Sequence, residues 1–275
     1  MARNVGDHQM KHLEPSKLGT KEYWDQCYES ELENGLGQED NTDLTDLESW
    51  FSEVNAPAKI LEYLTDEEFP LSPNNPNRTT EKPNVLDLGC GNGSSLFELK
   101  LEGGYEGKIV GVDYSQHSID LARRLWSRHV EEQAGEAQES TLRADDIIFE
   151  KFDLLNDEPA QQAWWPTGGF DLVTDKGTFD AISLSPETID QLGKDVRVCE
   201  VYPGTVARMI KPGGYLLITS VNWTEEEIVR WFTEGENVQG ILEEYSRIKY
   251  HVYEFGGRKG QLVASICFRR IASSL

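Results

Sequence analysis

Asn84-Val85-Leu86-Asp87-Leu88-Gly89-Cys90-Gly91-Asn92-Gly93 is a short apolar run that stops abruptly at three glycines spaced two apart. The pattern predicts a strand that delivers the chain into a tight turn. Glycine is required where φ turns positive or where a Cβ would block close approach to the backbone, and three of them fall within five residues. Asp87, two residues before Gly89, adds a constraint, because a buried carboxylate at a strand end costs free energy unless donors or a cationic ligand compensate it. A pyrophosphate would be repelled there. A ligand carrying an amine and a sulfonium would not, which points to S-adenosylmethionine rather than a nucleotide phosphate.

Outward from this stretch, short β-rich runs alternate with helical patterns. Val85 to Leu88, Ile109 to Val112, Ile147 to Phe152, Phe170 to Thr174 and Tyr215 to Thr219 read as strands, an alternation that implies an α/β fold with a parallel sheet covered on both faces. The tail changes character: Ile248 to Phe255 and Gln261 to Phe268, separated by Gly256, Gly257 and Gly260, read as an antiparallel hairpin on the sheet edge. Upstream, Lys21 to Leu32 and Leu44 to Leu64 have helical spacing and predict an N-terminal cap. Residues 1–17 are expected to be disordered and 18–275 to form one domain, with a helical cap over 18–70, a flexible Pro- and Asn-rich loop over 72–83 and a sheet core over 84–275. Glu131 to Asp146 reads as a polar surface loop.

In open parallel sheets, ligands bind at the carboxyl ends of the strands, near the point where strand order reverses. Polar residues recur at those positions here. Asp113, followed by Tyr114, lies twenty residues beyond Gly93 and can accept ribose hydroxyls. Asp153-Leu154 follows the third strand, near where an adenine amino group would lie, and Asp175-Lys176-Gly177-Thr178-Phe179-Asp180 follows the fourth. Singly, each has an ordinary reading: a tight turn, a helix N-terminal acid at Asp113, a loop acid at Asp153, a solvated helix face at Asp180, a small buried filler at Cys90. The joint spacing favours a site. A dinucleotide fingerprint would place its third glycine at position 94, where Ser94 stands instead.

The chain has 275 residues, with Lys plus Arg 26 against Asp plus Glu 49, a formal net charge of −23. That balance opposes binding to a phosphate backbone and attracts a basic protein, besides serving solubility. Cys27, Cys90, Cys199 and Cys267 show no metal or disulfide spacing, so a reducing compartment is expected. No apolar run is long enough to span a bilayer. The expectation is a soluble cytoplasmic protein, with nuclear import left open.

Residues 84 to 93, with Asp113, Phe152-Asp153 and Lys211-Pro212-Gly213-Gly214, resemble the Rossmann-like, seven-stranded class I methyltransferases that use S-adenosylmethionine. More narrowly, Leu18-Gly19-Thr20-Lys21-Glu22-Tyr23-Trp24-Asp25, Asp175 to Ala181 and the stretch from Phe255-Gly256-Gly257 to Phe268 resemble the eukaryotic lysine methyltransferases of translation elongation factor 1-alpha, the group of methyltransferase-like protein 10. The resemblance covers nearly the whole chain. It implies a mostly parallel sheet with an antiparallel C-terminal hairpin, a monomer acting on a protein lysine, and no metal, membrane or direct nucleic-acid contact.

By that resemblance Asp87 and the backbone of Gly89, Cys90, Gly91 and Gly93 hold the methionine end of the cofactor. Asp113 and Tyr114 hold the ribose, and Asp153 and Leu154 the adenine. Trp24 and Tyr28 cover it, and Trp223 borders the lysine channel or simply packs. Asp175 has two readings, as a cofactor-site residue that orients the incoming amine or as a structural contact to the glycine turn or cap. The nucleophile must be a neutral amine, which costs a lysine roughly 4 kcal/mol near neutral pH. Two other functions stay open on the residues alone: a methyltransferase for another protein, a small molecule or RNA, and a non-catalytic module that retains the fold.

Overall fold

The protein is represented by a computed structural model, which describes residues 10–35, 49–136, 141–191, 193–255 and 258–272. In chain order the helices are α1 (Lys21–Gly35), α2 (Ala56–Thr65), α3 (Ser94–Leu101), α4 (Gln116–Glu136), α5 (Thr178–Ser183), α6 (Val198–Met209) and α7 (Glu225–Thr233). The strands are β1 (Val85–Leu88), β2 (Ile109–Asp113), β3 (Ile147–Lys151), β4 (Phe170–Lys176), β5 (Thr188–Gln191), β6 (Lys194–Arg197), β7 (Ile210–Ser220), β8 (Leu242–Ile248), β9 (Tyr253–Phe255), β10 (Arg258–Gly260) and β11 (Ala264–Arg270).

Seven strands form one sheet in the order β3-β2-β1-β4-β7-β11-β8. β3, β2, β1, β4 and β7 pair in parallel, and β11 runs antiparallel to both β7 and β8. β1 and β2 are buried along their whole length, as expected of parallel strands covered on both faces. One face packs Leu86, Leu88 and Val173 against Phe179 of α5, Tyr202 of α6 and Phe232 of α7. The other packs Val85, Ile109 and Leu172 against Leu64 of α2, Phe97 of α3 and Trp126 of α4. The chain crosses from one side of β1 to the other between β3 and β4, so the order reverses at β1 and opens a crevice there.

The C-terminal region corrects one expectation. The pair in the main sheet is β8 with β11, and β11 is interior, leaving β8 at the edge. Ile266, Cys267 and Phe268 are fully buried, which demands a partner strand on each side, whereas Glu243, Glu244 and Tyr245 of β8 face solvent. β9 and β10 form a separate two-stranded ribbon within the stretch expected to belong to the hairpin, and Gly256 and Gly257 lie outside the described residues. The expected polar loop from Glu131 is also shorter, because α4 continues to Glu136 with Arg128 and Glu132 paired one turn apart.

Before the sheet, α1 matches the expected first helix. The second is shorter than its periodicity suggested: α2 begins at Ala56, preceded by a 3-10 turn over Ser52–Val54, and residues 44–48 lie outside the described residues. Of the leading segment expected to be disordered, residues 1–9 lie outside the described residues, while 10–17 are docked. Met10 and Leu13 pack on the core, the His12 ring stacks on Trp231 with centroids 6.1 Å apart, and the Arg197 guanidinium donates to the Leu13 carbonyl at 2.7 Å. The 72–83 loop, expected to be flexible, is held by turns: Asn74 Nδ2 donates to the Thr65 carbonyl at 2.8 Å and Asn75 Nδ2 to that of Phe69 at 3.0 Å.

Candidate active site

A cavity of about 310 Å³ opens at the carboxyl ends of β1, β2, β4 and β7, under α1. β1 reaches it at Gly89, and the turn continues to Gly91; both are in the left-handed region, at φ +63° and +56°. Their lack of a side chain is used by the protein itself. A Cβ on Gly89 would meet Thr178 Oγ1 at 2.1 Å, and one on Gly91 would meet the Tyr28 hydroxyl at 2.7 Å. The turn is thus clasped by α5 on one side and α1 on the other.

Asp113 closes β2 and forms part of the cavity wall. Gly91 N donates to its Oδ2 at 3.1 Å and Ser115 N to its Oδ1 at 2.9 Å, which leaves acceptor capacity on a carboxylate only 5% exposed. Burial pushes its acid up to about 6, against the lowering effect of those two N–H groups. Tyr114, Asp153 and Leu154 continue the same wall. Asp153 is half-buried and accepts from Leu155 N and Asn156 Nδ2, each at 2.9 Å. Across from them, Trp24 and Tyr28 of α1 stack at 6.2 Å, and Trp24 Nε1 is anchored on the Leu18 carbonyl at 2.8 Å.

Of the residues expected at the site, Trp24, Tyr28, Gly89, Asp113, Tyr114, Asp153 and Leu154 line the cavity, and Asp87, Cys90, Gly91, Gly93, Asp175 and Trp223 do not. For Asp87 and Asp175, which lie on strands, the reason is parity, since successive side chains point to opposite faces. Asp87 alternates with Leu86 and Leu88 and turns to the α2–α3 face, where Thr174 Oγ1 donates to it at 2.7 Å across the β1–β4 ladder. Burial raises it to about 6, opposed by Thr174 and Lys176. Asp175 turns to the opposite face. It accepts from Thr178 N at 2.9 Å, Phe179 N at 3.1 Å and the Tyr202 hydroxyl at 2.7 Å, so it satisfies free N–H groups in the first turn of α5. Its acid lies at about 7 because burial outweighs these bonds. These bonds engage the carboxylate in holding α5, which favours the structural one of its two readings over the one that orients an amine. Trp223 packs: its ring stacks on Phe179 and its Nε1 donates to Ser183 Oγ at 3.1 Å.

Several cavity residues were not expected from the sequence. Trp50 and Phe51 reach it across 126 residues, with Lys176 Nζ donating to the Trp50 carbonyl at 3.1 Å and sitting 5.9 Å from the Phe51 ring. Phe51 adopts φ +71°, a strained conformation for a non-glycine residue and one that gathers at functional sites. Asp180 also lines the cavity and is buried, not on a solvated face. The Ser220 hydroxyl and Val221 N donate to it, the latter at 2.9 Å, and burial holds it at about 6. Asp180 had a signal in its motif. Trp50 and Phe51, in a polar stretch, had none.

The donor set is dominated by acceptors. Asp113, Asp153, Asp180 and Glu187 face the cavity, while its two lysines are engaged, Lys21 with Asp25 and Lys176 with Trp50. Such a wall suits a ligand that brings hydroxyls, amines and positive charge, and it opposes phosphates. With the order β3-β2-β1-β4-β7-β11-β8, fold and site together define a class I methyltransferase.

Comparison with known proteins agrees. The methyltransferase domain family matches residues 79–257. Protein-lysine N-methyltransferase EFM4 of Saccharomyces cerevisiae is 38% identical over 256 residues, covering 93% of this chain and 96% of the yeast protein. EEF1A lysine methyltransferase 2 of Homo sapiens is 33% identical over 257 residues, 94% of this chain and 88% of the human one. Among solved structures, a TehB-like SAM-dependent methyltransferase from Corynebacterium glutamicum superposes with a TM-score of 0.50 at 15% identity, covering 88% of this chain and 99% of its own, a likeness of fold. The chain belongs to the methyltransferase domain family, in the branch that holds EFM4 and EEF1A lysine methyltransferase 2.

Proposed function

We propose that this protein is an S-adenosylmethionine-dependent protein-lysine N-methyltransferase whose substrate is translation elongation factor 1-alpha. The observation that carries the reading is the identity with EFM4 over nearly the full length of both chains, joined to a cavity whose wall is built of acceptors and aromatics. Asp113 is the residue for the ribose hydroxyls, because it is anchored by two backbone N–H groups and keeps acceptor capacity toward the cavity. Asp153 and Leu154 take the adenine, Gly89 offers backbone to the amino-acid end, and Trp24 and Tyr28 cover the ligand and keep water out. Bound there, S-adenosylmethionine supplies an electrophilic methyl group on a sulfonium.

The protein's own task is to present a neutral amine. An apolar rim disfavours the ammonium and so reduces the roughly 4 kcal/mol that deprotonating a lysine costs near neutral pH. Phe51, Ala181 and Val221 provide that rim. Asp175 acts at one remove, by fixing the first turn of α5 and hence Thr178 against Gly89. The net charge of −23 supports a basic protein partner over nucleic acid, and four cysteines without disulfide or metal spacing in the sequence support a reducing, cytoplasmic setting. Tritium transfer from labelled S-adenosylmethionine to purified elongation factor 1-alpha tests the proposal. Label on a lysine is the expected result, and none, or label on another residue type, would sink it.

A further inference from the structure

Asp180 is a buried carboxylate on the cavity wall, and no lysine or arginine forms an ion pair with it among the described residues. Burying an anion without a cationic partner is costly, and unlike Asp87 and Asp175, which are turned away from the cavity, Asp180 stands where a ligand can complete it. Ser220 Oγ, Val221 N and the Asn222 N–H, at and just beyond the end of β7, fix its orientation, and a carboxylate offers about four acceptor sites, so capacity remains. The other cavity carboxylates are placed differently. Asp113 closes β2 on the ribose wall, Asp153 is bound into its own loop, and Glu187 is exposed. Near Asp180 the wall turns apolar through Ala181 and Val221, and the rim carries Trp50 and Val221, 47% and 41% exposed.

We infer that Asp180 is a catalytic residue that receives the substrate lysine amine, accepting its N–H bonds and stabilising the charge that develops on its nitrogen. This rests on the lysine methyltransferase reading above. In the transfer the amine lone pair forms the new N–C bond, the electrons of the breaking S–C bond remain on sulfur, and the positive charge moves from sulfur to nitrogen. The proton that the substrate ammonium sheds beforehand goes to water. A fixed carboxylate beside the nitrogen stabilises the transition state more than the neutral amine that precedes it, which is the condition for raising kcat. Accepting N–H bonds also turns the lone pair toward the methyl donor.

Asp180→Asn in the full chain tests the inference, because the amide can still accept from Val221 N and donate to Ser220 Oγ. We expect affinity for S-adenosylhomocysteine within about threefold of wild type by calorimetry, an unchanged melting temperature, and kcat on elongation factor 1-alpha lowered about 100-fold. Binding of unmodified elongation factor 1-alpha in the presence of S-adenosylhomocysteine should also weaken, a readout independent of turnover. Ser220→Ala, which loosens the carboxylate without removing it, should lower kcat about tenfold, and it carries the test if the first variant does not fold. Wild-type kcat in either variant, or a loss of kcat matched by equal losses of cofactor affinity and melting temperature, would overturn the role. Absence of transfer by the wild-type protein would instead remove the functional reading, and this inference with it.

Discussion

The ends of β2 and β4 carry aspartates with the same promise in sequence and opposite fates in the fold. Asp113 is the last residue of β2, and its carboxylate, held by Gly91 N and Ser115 N, forms part of the cavity wall. Asp175 is one residue short of the end of β4, and parity sends it to the helical face, where α5 and Tyr202 occupy it. Position along a strand thus separates a residue that faces the cavity from one that holds the element beside it. Both are nearly inaccessible, and burial raises the acid of each, to about 6 and about 7. A raised pKa alone does not tell the two roles apart; the cavity does.

Substitutions can break this contrast. Asp113→Ala removes the proposed acceptor of two hydroxyls, and hydrogen bonds to a charged group contribute about 1.5 to 3 kcal/mol each, so affinity for S-adenosylhomocysteine should fall more than about 100-fold in calorimetry, a larger effect than the stability lost from the Gly91 and Ser115 N–H groups. Asp175→Ala should do the reverse. Losing the bonds to the first turn of α5 and leaving the Tyr202 hydroxyl buried without an acceptor should cost about 2 to 3 kcal/mol in denaturant unfolding, with cofactor affinity kept within a few-fold. A large affinity loss in Asp175→Ala at unchanged stability would erase the distinction.

The remaining effects are smaller. In the proposed role of Asp113 as ribose acceptor its ionised form is the binding form, so affinity should fall as pH drops through about 6. About one decade of affinity per pH unit below that point is the limit for a single group. Asp113→Asn should flatten the profile, and an equally steep profile in that variant would assign the titration elsewhere. The sign for stability of the ligand-free protein is opposite: a carboxylate whose folded pKa is raised, as at Asp175, favours the folded state below its unfolded pKa, and this contribution is lost as pH rises to about 7. Smallest, Thr174→Val removes the donor to Asp87 and should cost about 1 kcal/mol of stability with no change in cofactor affinity. A clear loss of affinity would bring Asp87 back into the site.

Much of this was legible in the residues. The glycine turn, the strands that flank it and the position of Asp113 follow from apolar runs that end in polar residues, because a parallel sheet gathers its strand ends on one side. Which face Asp87 and Asp175 would take was not legible, since that depends on how each strand's parity meets two helical layers assembled from distant segments. The antiparallel C-terminal pair is present as expected, but the bounds of its first strand and the interior place of its second were not legible for a related reason. Glycines mark turns, but only burial on both faces shows that Ile266 to Phe268 lie inside the sheet. Asp180 stood in a recognisable motif, yet its burial is created by Ser220 and Val221, 40 and 41 residues further on. Trp50 and Phe51 reach the site only through the left-handed turn at Phe51.

A crystal structure of the protein with S-adenosylhomocysteine tests the central claim most directly. The expected result is the ribose hydroxyls on the Asp113 carboxylate, the adenine beside Asp153 and Leu154, the amino-acid end against Gly89, and Asp175 still bonded to Thr178, Phe179 and Tyr202 without touching the ligand. A ligand bound elsewhere, or one contacted by the Asp175 carboxylate and not by Asp113, would contradict it.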